Sequence, residues 1–192
     1  MGIEYELKFR ATEAQLEQIR KDYPQTWQRL EMETTYYDTR DGALSARFFT
    51  LRRRLENGRG VCTLKVPAEK GRGEWELEAE DLEQAIPELC KLGAPAELVT
   101  LTKDGIVPTC GARFTRLANT LSWESGVLEL ALDRGYLSGG DRREAFCEVE
   151  VELKSGKPED ADLFARLLAA RYGLSPQPAS KFRRALALLK GE

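Results

Sequence analysis

Apolar and charged residues alternate strictly along the first ten positions of the chain. Tyr5, Leu7 and Phe9 fall on one face of an extended segment, and every even position from Glu4 to Arg10 is charged. A period of two is typical of a β-strand. Similar segments bounded by turn signals predict seven further strands, at about residues 31–38, 47–56, 60–67, 74–80, 112–121, 126–133 and 146–154.

The charged faces of these strands differ in sign from one strand to another. Glu74 and Glu76 make one face acidic, whereas Arg52 and Arg54 make another basic. A solvated sheet face has no need of such segregation, but a charged interior does, because buried acids require cations, metals or an ionic ligand. The pattern alone leaves two arrangements open: a sheet with its charged face in water, or a barrel with that face inside and helices over its apolar outer face.

Amphipathic segments predict helices from Thr12 to Tyr23 and at about residues 81–92, 158–172 and 179–190, with Pro87 interrupting the second. Eight strands with hairpin-like spacing and these helices indicate an α+β fold built on an antiparallel sheet or barrel. No long Ser/Gly/Pro-rich segment divides the 192 residues, so we expect one domain over residues 1–192.

Composition excludes several classes of function. Charged residues make up 32% of the chain but nearly cancel to a net charge of -3, which gives no support to a nucleic-acid partner. There is no long apolar run and the first residues are too charged for a signal peptide, so we expect a cytoplasmic protein with no membrane partner. The chain has no histidine and four isolated cysteines. Histidine-based catalysis and zinc sites are therefore disfavoured, and an oxygen-ligated cation is the natural cofactor.

A polyphosphate is the ligand that suits a cavity lined by both signs of charge. Arginine and lysine side chains bind phosphate oxygens, while carboxylates hold the divalent cations that neutralise the phosphates. Phosphoryl transfer depends mainly on positioning and charge neutralisation, so a site without histidine can perform it.

Motifs in a fixed order along the chain resemble those of the CYTH superfamily, the triphosphate tunnel metalloenzymes. The first is Glu4-Tyr5-Glu6-Leu7-Lys8, an ExExK motif that is weak by itself in a chain this rich in Glu and Lys. The resemblance covers roughly residues 3–188 and rests on the further segments Tyr36-Tyr37-Asp38-Thr39, Leu51-Arg52-Arg53-Arg54, Thr63-Leu64-Lys65, Arg72-Gly73-Glu74-Trp75-Glu76, Arg116, Leu128 to Asp133, Cys147 to Leu153, and Ser180-Lys181 with Arg184.

The resemblance implies an eight-stranded antiparallel β-barrel, a tunnel with a charged interior flanked by helices, and a set of site residues. Triphosphate would be bound by Lys8, Arg52, Arg54, Lys65, Arg116, Lys181 and Arg184. Mg²⁺ or Mn²⁺ would be held by Glu4, Glu6, Glu74, Glu76, Asp133, Glu148 and Glu150, with Glu4, Glu6 and Glu150 also catalytic. The alternation also permits a register that is shifted by two residues along Glu74, Glu76 and Glu78. Glu152 is left out because it could lie beyond the tunnel mouth, and Arg53 is expected to point outward.

The expected reaction is metal-dependent hydrolysis of inorganic triphosphate to pyrophosphate and phosphate, by a monomer or homodimer acting on a triphosphate-containing small molecule. A class IV adenylate cyclase is less favoured, because that subgroup carries a His-Phe pair ahead of ExExK and only Met1-Gly2-Ile3 precede Glu4 here. Thiamine or nucleoside triphosphate hydrolysis and a non-catalytic polyphosphate-binding module stay open.

Overall fold

The computed structural model describes residues 2–24, 26–69 and 72–191. Met1 and Glu192, the two ends of the predicted domain, lie outside the described residues. The strands are β1 Gly2–Glu4, β2 Glu6–Arg10, β3 Gln28–Asp38, β4 Thr50–Glu56, β5 Arg59–Pro67, β6 Arg72–Glu78, β7 Val107–Trp123, β8 Gly126–Gly139, β9 Arg142–Ser155 and β10 Ser175–Pro176. They form one antiparallel sheet in the order β1-β6-β5-β4-β3-β7-β8-β9-β2-β10.

The chain itself joins the two ends of this strand order. β1 pairs with β6, and β2 pairs with β9, where Lys8 lies opposite Glu150. Tyr5 separates β1 from β2, and its carbonyl accepts a hydrogen bond from the Leu153 amide at 2.9 Å. The first strand therefore closes the sheet as one strand interrupted at Tyr5. Counted in this way, with the two-residue β10 set aside, the predicted eight-stranded antiparallel barrel is confirmed.

Helices cover the apolar outer face of the barrel. The described ranges contain α1 Glu13–Asp22, α2 Ala43–Ala46, α3 Leu82–Lys91, α4 Glu97–Thr102, α5 Pro158–Tyr172 and α6 Lys181–Lys190. Ile19 and Phe164 bring α1 and α5 against Val151, and Leu89 brings α3 against Leu64. Each such buried side chain contributes about 2 kcal/mol to folding. None of the helices in the described ranges has the length and apolar character needed to span a bilayer.

Helix α6 is placed by a local signal and by a close approach of backbones. The Ser180 hydroxyl accepts a hydrogen bond from the Arg183 amide at 3.2 Å and caps the helix. A Cβ atom on Gly139 would lie 2.4 Å from the Ala185 carbonyl oxygen, so only glycine lets the end of β8 pack this closely against α6. The helix therefore begins at Lys181, beside the barrel interior.

Two groups of boundaries differ from the sequence-based predictions. β7, β8 and β9 extend well beyond the predicted segments, because glycines such as Gly135 interrupt the alternation without ending the strand. A Cβ there would lie 2.1 Å from the Arg113 carbonyl oxygen, so the glycine serves close strand packing. The strand predicted from residue 47 begins at Thr50, after the short helix α2 and Phe48, which has a φ of 59°. Helices α2 and α4 were not predicted, and Pro87 does not interrupt α3.

Candidate active site

The charged inner face of the barrel surrounds a cavity of about 280 Å³. Of the described residues, eight cations and eight carboxylates line it. The cations are Lys8, Arg52, Arg54, Lys65, Arg72, Arg116, Lys154 and Lys181, and the acids are Glu4, Glu6, Glu56, Glu74, Glu76, Glu129, Glu150 and Glu152. The formal charge of this lining is zero, so a polyanion can enter only with cations of its own or with some of these pairs rearranged.

Three arginines on β4 and β6, which we call the arginine wall, have few close carboxylate partners. Arg52 lies 3.9 Å from both Glu74 and Glu76, and its buried Nε has no hydrogen-bond partner. Arg72 donates to the Thr50 hydroxyl at 2.9 Å and, within the described part of the chain, has no carboxylate at ion-pair distance.

The third arginine of the wall, Arg54, lies close to other cations. It donates to the Thr34 hydroxyl at 3.2 Å and pairs with Glu56 at 3.2 Å. Burial lowers the pKa of the Arg54 guanidinium, and the positive charges of Arg52 and Arg116 lower it further. A wall of buried and half-buried arginines with few close carboxylate partners favours an anion in the cavity.

Carboxylates gather on the opposite side of the barrel. Glu152 on β9 lies directly across from Glu6 on β2 and from Glu129 on β8, so three acids stand in one row over three adjacent strands. Glu4 on β1 is near enough to act electrostatically on Glu152. We call Glu4, Glu6, Glu129 and Glu152 the acidic patch. β4 and β9 are four strands apart in either direction around the barrel, so Arg52 and Arg54 face Glu152 across the cavity. Arg72 on β6 lies directly opposite Glu4 on the neighbouring strand β1, where the wall and the patch meet.

Each acid of the patch is balanced by a lysine. Glu6 accepts from Lys8 at 2.8 Å, and Glu4 is in very close contact with Lys65. Lys154 lies 2.9 Å from Glu152 and 3.7 Å from Glu129. Burial raises the pKa of Glu152, and the negative charges of Glu129 and Glu4 raise it further against the opposing effect of Lys154. Like charges directly opposite each other on neighbouring strands are unfavourable unless a cation lies between them. This row of acids therefore requires a cation.

A second acidic cluster lies deeper, where α6 meets the barrel. Carboxylate oxygens of Asp133, Glu148 and Glu150 lie within 4.8 Å of one another. The Lys181 ammonium stands among them, at 2.8 Å from Asp133, 2.5 Å from Glu148 and 2.6 Å from Glu150. Burial works against the charged form of Lys181, but the three carboxylates raise its pKa. Lys181 thus occupies the position that a metal ion would take between these acids.

Two arginines complete the charge balance of this deeper cluster. Arg116 forms a bidentate pair with Asp133, with both nitrogen–oxygen distances 2.8 Å, and also contacts Glu150. Arg184 contacts Glu148. Burial alone would raise the pKa of Glu150, but the positive charges of Lys181 and Arg116 hold that pKa well below its ordinary value. Glu150 is therefore a stable anion and a poor proton acceptor.

Eleven of the fourteen predicted site residues line the cavity, and their roles stay predictions. The other three, Asp133, Glu148 and Arg184, do not line it. Asp133 and Glu148 are fully buried behind the cavity wall, where Lys181 binds both. The sequence could not show this, because residues on one strand face share a direction but not a depth.

Five charged lining residues were absent from the predicted set: Glu56, Arg72, Glu129, Glu152 and Lys154. Glu152 does not lie beyond the tunnel mouth, since Glu6 stands opposite it. The alternation placed Glu129 and Glu152 on interior faces, and the same period extended by two residues from Glu152 would have found Lys154. In the segment with the open register, Glu74 and Glu76 line the cavity and Glu78 does not. Arg53 points outward and pairs with Glu80 at 3.2 Å.

A larger groove of about 1180 Å³ lies on the outside of the barrel, between α1 and strands β7 to β9. Its ion pair, Arg134 with Glu13 at 3.1 Å, is well exposed on both sides. Such pairs contribute little and no set of charges converges there. The smaller interior cavity is therefore the better candidate for chemistry.

The acidic patch fits a divalent cation. Carboxylate oxygens are the donors that Mg²⁺ and Mn²⁺ prefer, and Glu6, Glu129 and Glu152 present a row of them at the cavity surface. The deeper cluster fits less well, because a metal there would have to displace Lys181 from three carboxylates.

Comparison with known proteins gives a consistent set of matches. A model of the CYTH domain matches residues 2–186. An inorganic triphosphatase from Haemophilus influenzae is 28% identical over 166 residues, which make up 84% of this chain and 47% of that protein. The chain thus spans about half the length of that curated relative.

Solved structures show the same fold at low sequence identity. A putative adenylyl cyclase from Hippeastrum, described as having a dominant triphosphatase activity, has a TM-score of 0.67 and 22% identity over 98% of this chain and 96% of that one. A protein from Pyrococcus horikoshii OT3 has a TM-score of 0.64 and 24% identity over 97% and 99%.

Proposed function

The chain belongs to the CYTH domain family, and on that premise we propose that it hydrolyses triphosphates with the help of a divalent cation. The preferred substrate in this proposal is inorganic triphosphate, and the products are pyrophosphate and orthophosphate. The observation that carries the proposal is the presence in one cavity of two surfaces of opposite charge, the arginine wall and the acidic patch. The relative from Haemophilus influenzae is an inorganic triphosphatase, which supports the same activity.

The arginine wall would bind the phosphate chain. Arg52 is buried and Arg54 and Arg72 are half-buried, and their guanidinium groups suit bidentate binding of phosphate oxygens. Lys8 on β2 and Lys65 on β5 also line the cavity and would add two further cations. Inorganic triphosphate has nothing but phosphate oxygens to recognise, and a cavity in which most of the lining residues are charged meets that need.

The acidic patch would hold Mg²⁺ or Mn²⁺, with Glu6, Glu129 and Glu152 as the ligands and Glu4 beside them. When bound, the divalent cation supplies a Lewis acid that neutralises phosphate charge. The zero formal charge of the lining supports this arrangement, because a triphosphate would otherwise leave the interior strongly negative. Asp133, Glu148 and Glu150 would instead form the anchor for Lys181, which keeps α6 against the barrel.

The chain's own residues would position the reacting groups. A water oxygen would form a bond to the terminal phosphorus, and the bond from that phosphorus to the bridging oxygen would break. Glu4, which faces the cavity beside the proposed metal ligands, would orient the water and accept its proton.

A substrate panel tests the proposal. Phosphate release is measured from inorganic triphosphate, pyrophosphate, ATP and thiamine triphosphate, with Mg²⁺ and Mn²⁺ in turn. We expect the fastest release from inorganic triphosphate and none after chelation of the metal. Release that is faster from thiamine triphosphate or ATP would change the substrate, and cyclic AMP formed from ATP would indicate the cyclase reaction. Metal-dependent binding of triphosphate with no product from any compound would refute hydrolysis and favour a binding module.

A further inference from the structure

We infer that Lys154 is an internal counter-ion that occupies the acidic patch in the absence of metal and must leave when a divalent cation binds. The inference rests on the proposed function in one respect only, the assignment of the patch as the metal site. It gives Lys154 a role in setting the metal concentration that the protein requires. The evidence is the position of Lys154, its partners and its exposure relative to the other lysines of the cavity.

The Lys154 ammonium occupies the position in which a cation would bind both Glu129 and Glu152. It lies on β9 two residues beyond Glu152, so its side chain points to the same interior face and reaches back along the strand. Its ammonium lies 2.9 Å from Glu152 and 3.7 Å from Glu129. Among residues 2–24, 26–69 and 72–191, it is the one cation within 4.0 Å of Glu152.

A divalent cation and the Lys154 ammonium cannot both occupy this position. Two cations a few ångströms apart in a partly buried cavity repel each other strongly. A metal that binds Glu129 and Glu152 also takes the carboxylate oxygens that now form ion pairs with Lys154. Binding of the metal and retention of the ammonium are therefore competing events.

Exposure indicates which lysine of the cavity moves. The Lys154 side chain is 40% exposed, whereas those of Lys8 and Lys65 are 15% and 12% exposed. Lys154 can turn its charged end into water, but the other two would have to leave buried positions. Displacement of a half-exposed ion pair shifts an equilibrium by no more than about fivefold. Lys154 is thus an exchangeable counter-ion.

The test is a titration of the protein with Mn²⁺ alone, without triphosphate, in which electron paramagnetic resonance measures the free ion. We expect Lys154→Met to bind Mn²⁺ about two to five times more tightly than the wild type, because the competing charge is gone. Lys154→Arg keeps the charge and should bind Mn²⁺ as the wild type does. Lys157→Met removes an exposed lysine from the same region and serves as the matched control.

Unchanged or weaker Mn²⁺ binding by Lys154→Met would overturn the inference, as would an equal gain in Lys154→Arg or Lys157→Met. Thermal unfolding of each variant shows whether the fold is retained. The result is independent of hydrolysis: if Lys154→Met gains affinity and no triphosphate is cleaved, the counter-ion role stands and the proposed function falls. If neither protein binds Mn²⁺, the patch is not a metal site and both are wrong.

Discussion

Replacement of Lys181 by methionine should destabilise the protein strongly, and the loss should depend on pH. The change keeps the side chain about the same length but removes the charge that three buried carboxylates share. Arg116 and Arg184 then remain to balance Asp133, Glu148 and Glu150, which leaves one buried negative charge without a partner. Breaking a buried ion pair by removal of one partner costs about 3–5 kcal/mol.

Proton uptake sets an independent limit on this loss. One of the three acids can become neutral in the folded variant, and for a carboxyl group with an ordinary pKa near 4.3 this costs about 3.7 kcal/mol at pH 7. The same proton uptake costs about 1 kcal/mol at pH 5. An acid whose pKa is raised by folding destabilises the protein increasingly as the pH rises from the unfolded pKa to the raised one, and the penalty disappears as the pH falls towards the unfolded value. The variant should therefore lose about 3–4 kcal/mol at pH 7 and about 1–2 kcal/mol at pH 5.

Urea unfolding of both proteins at the two pH values measures this difference. Lys190→Met, at the exposed end of the same helix, should change the free energy of unfolding by less than about 0.5 kcal/mol. A loss below about 1 kcal/mol at pH 7 for Lys181→Met, or a loss that grows as the pH falls, would refute the assignment of Lys181 as the anchor of the deeper cluster.

Three further predictions follow from the cavity and the barrel. Arg54→Ala should raise KM for triphosphate about 10- to 100-fold through loss of a charged phosphate contact, while Arg53→Ala, on the outer face, should leave KM within about twofold; equal effects would contradict the inward and outward assignment. Glu152→Gln should lower kcat/KM about 100-fold with the melting temperature retained, and Glu144→Gln, an exposed position of the same strand, should not; full activity of Glu152→Gln would remove this residue from the site. Gly135→Ala should lower stability by about 2 kcal/mol or more in chemical unfolding, because its Cβ would meet backbone at 2.1 Å; a stable variant would mean that β7 and β8 separate there without cost.

The alternation of the first strand predicted the fold well, because a period of two determines which residues share a face. It did not predict that Tyr5 would divide the strand so that its halves close the barrel, since closure depends on long-range pairing with β6 and β9. The extension of β8 through Gly135 was not predicted, because glycine weakens the alternating pattern of a strand. The same glycine allows the neighbouring strands to pack closely.

The sequence predicted most of the residues that form the site, but it did not predict how deeply each of them is buried. Residues such as Arg52 and Glu74 were placed in the cavity from the strand pattern and the family motifs. Lys181, expected to bind substrate, is held by three carboxylates, because the helix start at Ser180 directs it into the deeper cluster. That contact joins segments distant in sequence, and no local pattern reveals it. The cytoplasmic location, the oligomeric state and the absence of a nucleic-acid partner stay predictions.

The central claim is that this cavity cleaves the terminal phosphate of a triphosphate with the help of a divalent cation. Phosphorus NMR of inorganic triphosphate incubated with the wild-type protein and Mg²⁺ tests it directly. The claim predicts pyrophosphate and orthophosphate appearing in equal amounts, and no change in the spectrum when a chelator is present. An unchanged spectrum with Mg²⁺, or cleavage that continues in the chelator, would contradict it.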